Sequence, residues 1–234
     1  MGRLAQLLAG ILLLCGLGCQ RSPLGDGLPA QLNCFSCHGS QENAAPPQAL
    51  DGATSTTDIG VGAHQSHMQG GSIAAPVACE ECHPVPTLMN GDAHPDPLSR
   101  GTVMTFGPIA QTGGAAPVWH RTTATCTGTY CHGAVLPGSY GPAPPRWTKV
   151  DGSQIKCDSC HASSPDGLGG SHPLHSAYSC DTCHPRVVAA DLTITHRDLH
   201  VDGQVDVSMT AGDWDPTTRT CADTPGGCHG SMPW

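Results

Sequence analysis

Residues 126–133 read CTGTYCHG: two cysteines with four residues between them, and His132 directly after the second. Such a stretch fits a degraded zinc knuckle, half of a disulfide framework or a site of haem attachment. The other cysteines discriminate among the three. The chain has 14, and the 12 that follow residue 19 fall into six pairs, each closing in Cys-His. Four pairs have two-residue spacing: Cys34, Cys37 and His38; Cys79, Cys82 and His83; Cys157, Cys160 and His161; Cys180, Cys183 and His184. Cys126, Cys131 and His132 form the pair with four intervening residues, and Cys221, Cys228 and His229 the pair with six. At this composition chance would place about one histidine after a cysteine; six are found, and no cysteine in this region is left over.

The chemistry of haem attachment requires this shape. Two thiols add to the two vinyl groups on one edge of the porphyrin, and the next residue turns its imidazole onto the iron. The sulfurs must land at a fixed separation, but the residues between them can bulge if they can turn. Gly128 permits this in TGTY, and Pro225, Gly226 and Gly227 permit it in ADTPGG. A zinc knuckle has no need of a histidine after every second cysteine. Disulfides suit an exported chain but leave the histidines unexplained. The reading is six covalently attached haems c.

The six motifs repeat as two triplets in the same order. Each triplet runs from a Cys-x-x-Cys-His motif through a His-x-x-His pair (HQSH, then HPLH) to a second motif followed by proline (Pro84, Pro185). A further histidine (His94, His200), a tryptophan and the long-spaced motif follow, and the last ends in glycine (Gly133, Gly230). Trp119 and Trp214 each precede the first cysteine of the long motif by seven residues. This is the pattern of a duplicated three-haem unit, with residues 19–138 as the first unit and 139–234 as the second. A proline-rich linker, LPGSYGPAPPRW at 136–147, lies between them.

Eight histidines stand outside the motifs. The repeat singles out six as candidates for the second axial position on iron: His64, His67 and His94 in the first unit, His172, His175 and His200 in the second. His120 aligns with Asp215, and His196 has no counterpart. The His-x-x-His spacing puts both rings on one helical face, and nothing in it says which ring serves which iron. Met68, Met89, Met104 and Met209 are the rival ligands and read as packing residues.

Composition agrees. Nine aromatic residues against 51 glycines and prolines leave little for a side-chain core. The expected fold is therefore mostly irregular, with short helices around the motifs, few short strands (VMTF at 103–106 and VDV at 205–207 among them) and a core of stacked haems. The balance of 10 basic and 19 acidic residues, with no basic run, argues against nucleic acid. Residues 1–18 read as a secretory signal: Arg3, then an apolar run from Leu4 to Leu17 that is short for a membrane span. Leu17-Gly18-Cys19 resembles the cleavage box of bacterial lipoproteins, making Cys19 the expected lipid anchor.

The long motif CTGTYCHG after a tryptophan, the Cys-x-x-Cys-His motifs, HPLH and HVDGQVDV together resemble a family of multihaem c-type cytochromes, with Cys-x4-Cys-His and Cys-x-x-Cys-His motifs, from Geobacter-like metal-reducing bacteria. The resemblance covers most of residues 30–230 in two copies. It implies an exported electron carrier of the periplasm, outer membrane or cell surface, often serving respiration that ends outside the cell. Its partners would be other redox proteins of the envelope, with self-assembly a further option. The six-residue spacing between Cys221 and Cys228 departs from the family pattern. Two rivals remain: a multihaem reductase with one open iron, and a subunit of a haem-lined filament. No phosphate loop, HExxH motif or serine-nucleophile elbow is present, so no catalytic residue is named.

Overall fold

The structure, a computed structural model, describes residues 39–40, 45–85, 103–136, 144–209, 213–222 and 232–233. The motif at 34–38, His94, Met89, Cys19, and Cys228 with His229 lie outside the described residues. Most of the described chain is irregular, as its glycine and proline content dictates, and regular elements are short.

The single α-helix among the described residues, α1 (His64–Gln69), is one His-x-x-His segment. Six residues are too few to hold a helix by hydrogen bonding alone, so flanking contacts hold it. Gln65 donates its side-chain amide to the Ala45 carbonyl at 2.9 Å, and the Val77 N–H donates to the His67 carbonyl at 2.8 Å. The second such segment, His172–His175, is a 3-10 turn with Pro173 in its opening turn, a position that tolerates the missing N–H. Three cysteine motifs wind into single 3-10 turns: Cys79–Glu81, Tyr130–His132 and Cys180–Thr182.

Strands occur where the two tryptophans stand. β1 (Val118–His120) pairs antiparallel with β2 (Thr125–Thr127), setting Trp119 opposite Cys126. β3 (Asp213–Asp215) pairs with β4 (Thr220–Ala222) in the same register, setting Trp214 opposite Cys221. The seven-residue spacing of Trp and Cys is thus that of a cross-strand pair over a four-residue loop. In both hairpins the last loop residue is left-handed, Ala124 at φ 52° and Arg219 at φ 54°. A third segment joins each hairpin: Arg146 bridges Thr125, and β5 (Met232–Pro233) pairs with β4.

The two segments expected as strands, 103–106 and 205–207, are not strands. Each runs extended beside a cysteine motif instead of beside a partner strand. Thr105 donates its N–H to the Cys82 carbonyl at 3.0 Å, and Ser208 donates to Cys183 at 2.9 Å. Their β-branched residues supply the extended backbone, and the motif supplies the partner.

Among the described residues no large side-chain core forms. Among the described residues the buried apolar side chains are Ala45, Val61, Ala110, Ala115 and Ala124, four of them no larger than a methyl group, and no large side chain is fully buried. Leu174 and Leu50, residues that would sit inside an ordinary domain, are 84% and 89% exposed.

Candidate haem-binding site

Four motif histidines each face one non-motif histidine. Ring centroids lie 6.2 Å apart for His64 and His83, 6.3 Å for His67 and His132, 6.2 Å for His161 and His200, and 6.4 Å for His172 and His184. These separations are too long for ring-to-ring contact. They suit a metal between the rings: a bond of about 2.0–2.1 Å from each imidazole nitrogen to a first-row metal sets two trans rings roughly 6.3 Å apart, centre to centre. The residues present therefore fit a haem iron ligated from both sides.

The hydrogen bonds point the same way. A ligating imidazole donates its outer N–H to a fixed acceptor, which sets the tautomer and aims the other nitrogen at the metal. Nδ1 of His64 donates to the Val61 carbonyl at 2.8 Å, and that of His67 to Ala63 at 2.9 Å. His172 donates to Gly169 at 2.7 Å and His175 to Ser171 at 2.9 Å. Among the motif histidines, His184 donates to the Asp206 carbonyl at 2.6 Å, His161 to Ala162 at 2.8 Å, and His83 to Val103 at a longer 3.4 Å. The extended segments misread as strands thus supply the acceptors for His83 and His184. His200 donates to the Ile73 carbonyl at 2.5 Å, across 127 residues of sequence.

The two histidines set aside in the sequence differ. His120 is exposed and engages Thr127 Oγ1 through Nε2 at 2.9 Å. His196 is exposed, with Nδ1 4.0 Å from the Asp198 carboxylate. Neither has the carbonyl-anchored Nδ1 of the other eight.

Burial, then the neighbouring His67 ring, pushes the His132 imidazole down to about 4. Burial, followed by the nearby His161, likewise holds His200 below its ordinary value, against the opposing Ile73 hydrogen bond and Asp202 charge. Both are thus neutral rings with a lone pair to give. As free thiols Cys126 and Cys131 are pushed up to about 11, chiefly by burial. Among the described residues no three of His, Cys, Asp and Glu gather as a metal cluster.

The long motif works as its glycine suggested. Cys126 sits on β2 and Cys131 in the following 3-10 turn, and Gly128 between them is left-handed at φ 67°. A Cβ there would lie 2.3 Å from the Ala116 carbonyl oxygen, so only glycine lets the loop pass the backbone that leads into β1.

Two side chains not singled out in the sequence reading belong to the site. Trp147 donates its indole N–H to the Ile59 carbonyl at 3.0 Å, and its ring lies 4.7 Å from that of His64 and 5.5 Å from that of His67. It locks both imidazoles of α1 from behind. A signal for it existed: each long motif is followed by a short segment ending in tryptophan, RW at 146–147 and PW at 233–234. Glu81, between Cys79 and Cys82, is buried and accepts the Ala110 N–H at 3.1 Å; its charge acts on both Cys82 and Cys131. Met68 packs against a motif, its Sδ 3.9 Å from Cys79 Sγ.

Glu81→Gln keeps the shape and the Ala110 hydrogen bond while removing a negative charge. The midpoint potential of the nearest haem is expected to rise by on the order of 50–100 mV, the effect of one charge some 8–16 Å away at an effective dielectric near 20. Potentiometric titration of variant and parent checks this.

Paired cysteines with a following histidine, and imidazoles set to clasp a metal from both faces, are the arrangement of a multihaem c-type cytochrome. The motifs imply covalently bound haem c and a role in electron transfer. Residues 125–161 match the family model described as the Geobacter CxxxxCH...CXXCH motif, consistent with a multihaem c-type cytochrome of that family. The match takes in Cys126, Cys131 and His132 and runs through Cys157, Cys160 and His161. Neither the curated proteins nor the solved structures contain a match to the chain.

Proposed function

We propose that the chain is an exported hexahaem c-type cytochrome that carries electrons in respiration ending outside the cell, and that it is a carrier, not an enzyme. The observation that carries this reading is the set of four imidazole pairs at 6.2–6.4 Å. The six cysteine pairs hold six haems, and the duplicated order of motifs makes two three-haem units. Bound haem supplies one-electron chemistry at each iron. The paired histidines would hold each iron and close it to substrate, and burial and charges such as Glu81 would set the potentials. The scarcity of buried side chains supports haem as the core.

Export rests on residues 1–18 as signal peptide, and membrane attachment on acylation of Cys19, which places the protein in the periplasm or at the outer membrane. Among the described residues no helix is long and apolar enough to cross a membrane. The partners are other redox proteins of the envelope. Electron paramagnetic resonance of the oxidised holoprotein tests the carrier reading. Low-spin signals alone, with a redox titration spread over a broad range by interacting haems, are expected. A high-spin signal integrating to one haem per chain would replace the carrier with a reductase.

A further inference from the structure

We infer that each His-x-x-His segment divides its two imidazoles between two haems, the first ring serving the middle motif of the triplet and the second the long-spaced motif. The inference rests on the haem reading above. His64 faces His83 of the middle motif, whereas His67, one turn along the same helix, faces His132 of the long motif. The 3-10 turn at 172–175 repeats the first half of this division: His172 faces His184 of the second middle motif. The two segments differ in sequence (HQSH against HPLH) and in helix type, yet give their first ring to the same motif. The remaining described pair, His200 with His161, gives the histidine that follows the middle motif to the first motif of its triplet.

This fixes the axial pairs. His64 and His83 clasp the haem on Cys79 and Cys82. His67 and His132 clasp that on Cys126 and Cys131. His200 and His161 serve Cys157 and Cys160, and His172 and His184 serve Cys180 and Cys183. One helix holding two irons also makes the middle and long-motif haems neighbours. Trp147, against both rings of α1, is the residue that holds the division in place.

Deleting one haem and then one histidine tests the pairing. Cys79→Ala/Cys82→Ala should give an exported protein one haem short by intact mass, with every remaining haem low-spin. Adding His64→Ala should leave that spectrum unchanged, because the iron it served is gone. Adding His67→Ala should create one high-spin haem per chain. The opposite pattern, or a high-spin haem from both additions, overturns the pairing. Cys180→Ala/Cys183→Ala, combined with His172→Ala or His175→Ala, repeats the test in the second unit should the first series not be exported: His172→Ala should be silent and His175→Ala should yield one high-spin haem. The two readings fail separately. A parent protein without haem adducts in its mass sinks the haem reading, whereas full adducts with the wrong spin pattern sink only the pairing.

Discussion

Chain produced and exported without haem attachment is expected to show no cooperative unfolding transition, whereas the haem-loaded protein melts cooperatively. The reason lies in what the described residues bury. Alanines and one valine cannot offset the conformational entropy of ordering the residues around them, at roughly 1–2 kcal/mol each. Short helices and three-residue strands add no independent stability. Stability must then come with the cofactor, as it does in small metal-dependent domains where binding and folding are one equilibrium. The effect is the largest available: the haem-free chain should be largely unfolded at 25 °C. Circular dichroism and scanning calorimetry of protein from cells lacking the attachment machinery measure it. A sigmoidal haem-free melt with a calorimetric peak would show that side chains alone hold the fold.

Gly133→Ala should lower the melting temperature of the holoprotein by roughly 6–12 °C, the shift that about 3 kcal/mol produces in a chain of this size. Gly133 directly follows His132, is left-handed at φ 84°, and closes the 3-10 turn by donating its N–H to the Tyr130 carbonyl at 2.8 Å. A Cβ at this position would lie 2.2 Å from the Cys160 carbonyl oxygen and 2.9 Å from two further Cys160 backbone atoms. The left-handed conformation costs an alanine about 1–2 kcal/mol. The overlap costs more, because a backbone cannot swing aside as a side chain can. The motif at 126–132 and that at 157–161 would be driven apart, and His132 would shift against His67. Gly152→Ala is the control: φ is 76° but nothing lies within 4 Å of the added methyl, so only the conformational cost applies. Equal melting temperatures for the two variants would contradict the close approach of the motifs.

The chemistry of this protein is written in local sequence, and its wiring is not. Cysteine pairs with a following histidine show themselves at any spacing, because attachment needs contiguous residues. Likewise the Trp119–Cys126 and Trp214–Cys221 spacings were visible before their cause, the hairpin register, was. Which imidazole faces which was beyond reach, since it depends on contacts far apart in sequence. His200 is aimed by the carbonyl of Ile73, and the two rings of α1 part company only because Trp147 and two separate motifs meet them. The segments at 103–106 and 205–207 misled for a related reason. Their β-branched residues promise extended backbone, but propensity does not name the partner, and the partner is the Cys82 or Cys183 carbonyl. Glu81 looked like one more acidic residue of a motif until its burial against Ala110 set it apart.

The most direct test is the haem count of the mature exported protein, from a pyridine haemochrome assay read together with the intact mass. The account predicts six haems per chain, every adduct covalent, with the same mass revealing any acylation at Cys19. A colourless protein, or one carrying zinc with its 12 motif cysteines unalkylated by porphyrin, would contradict it.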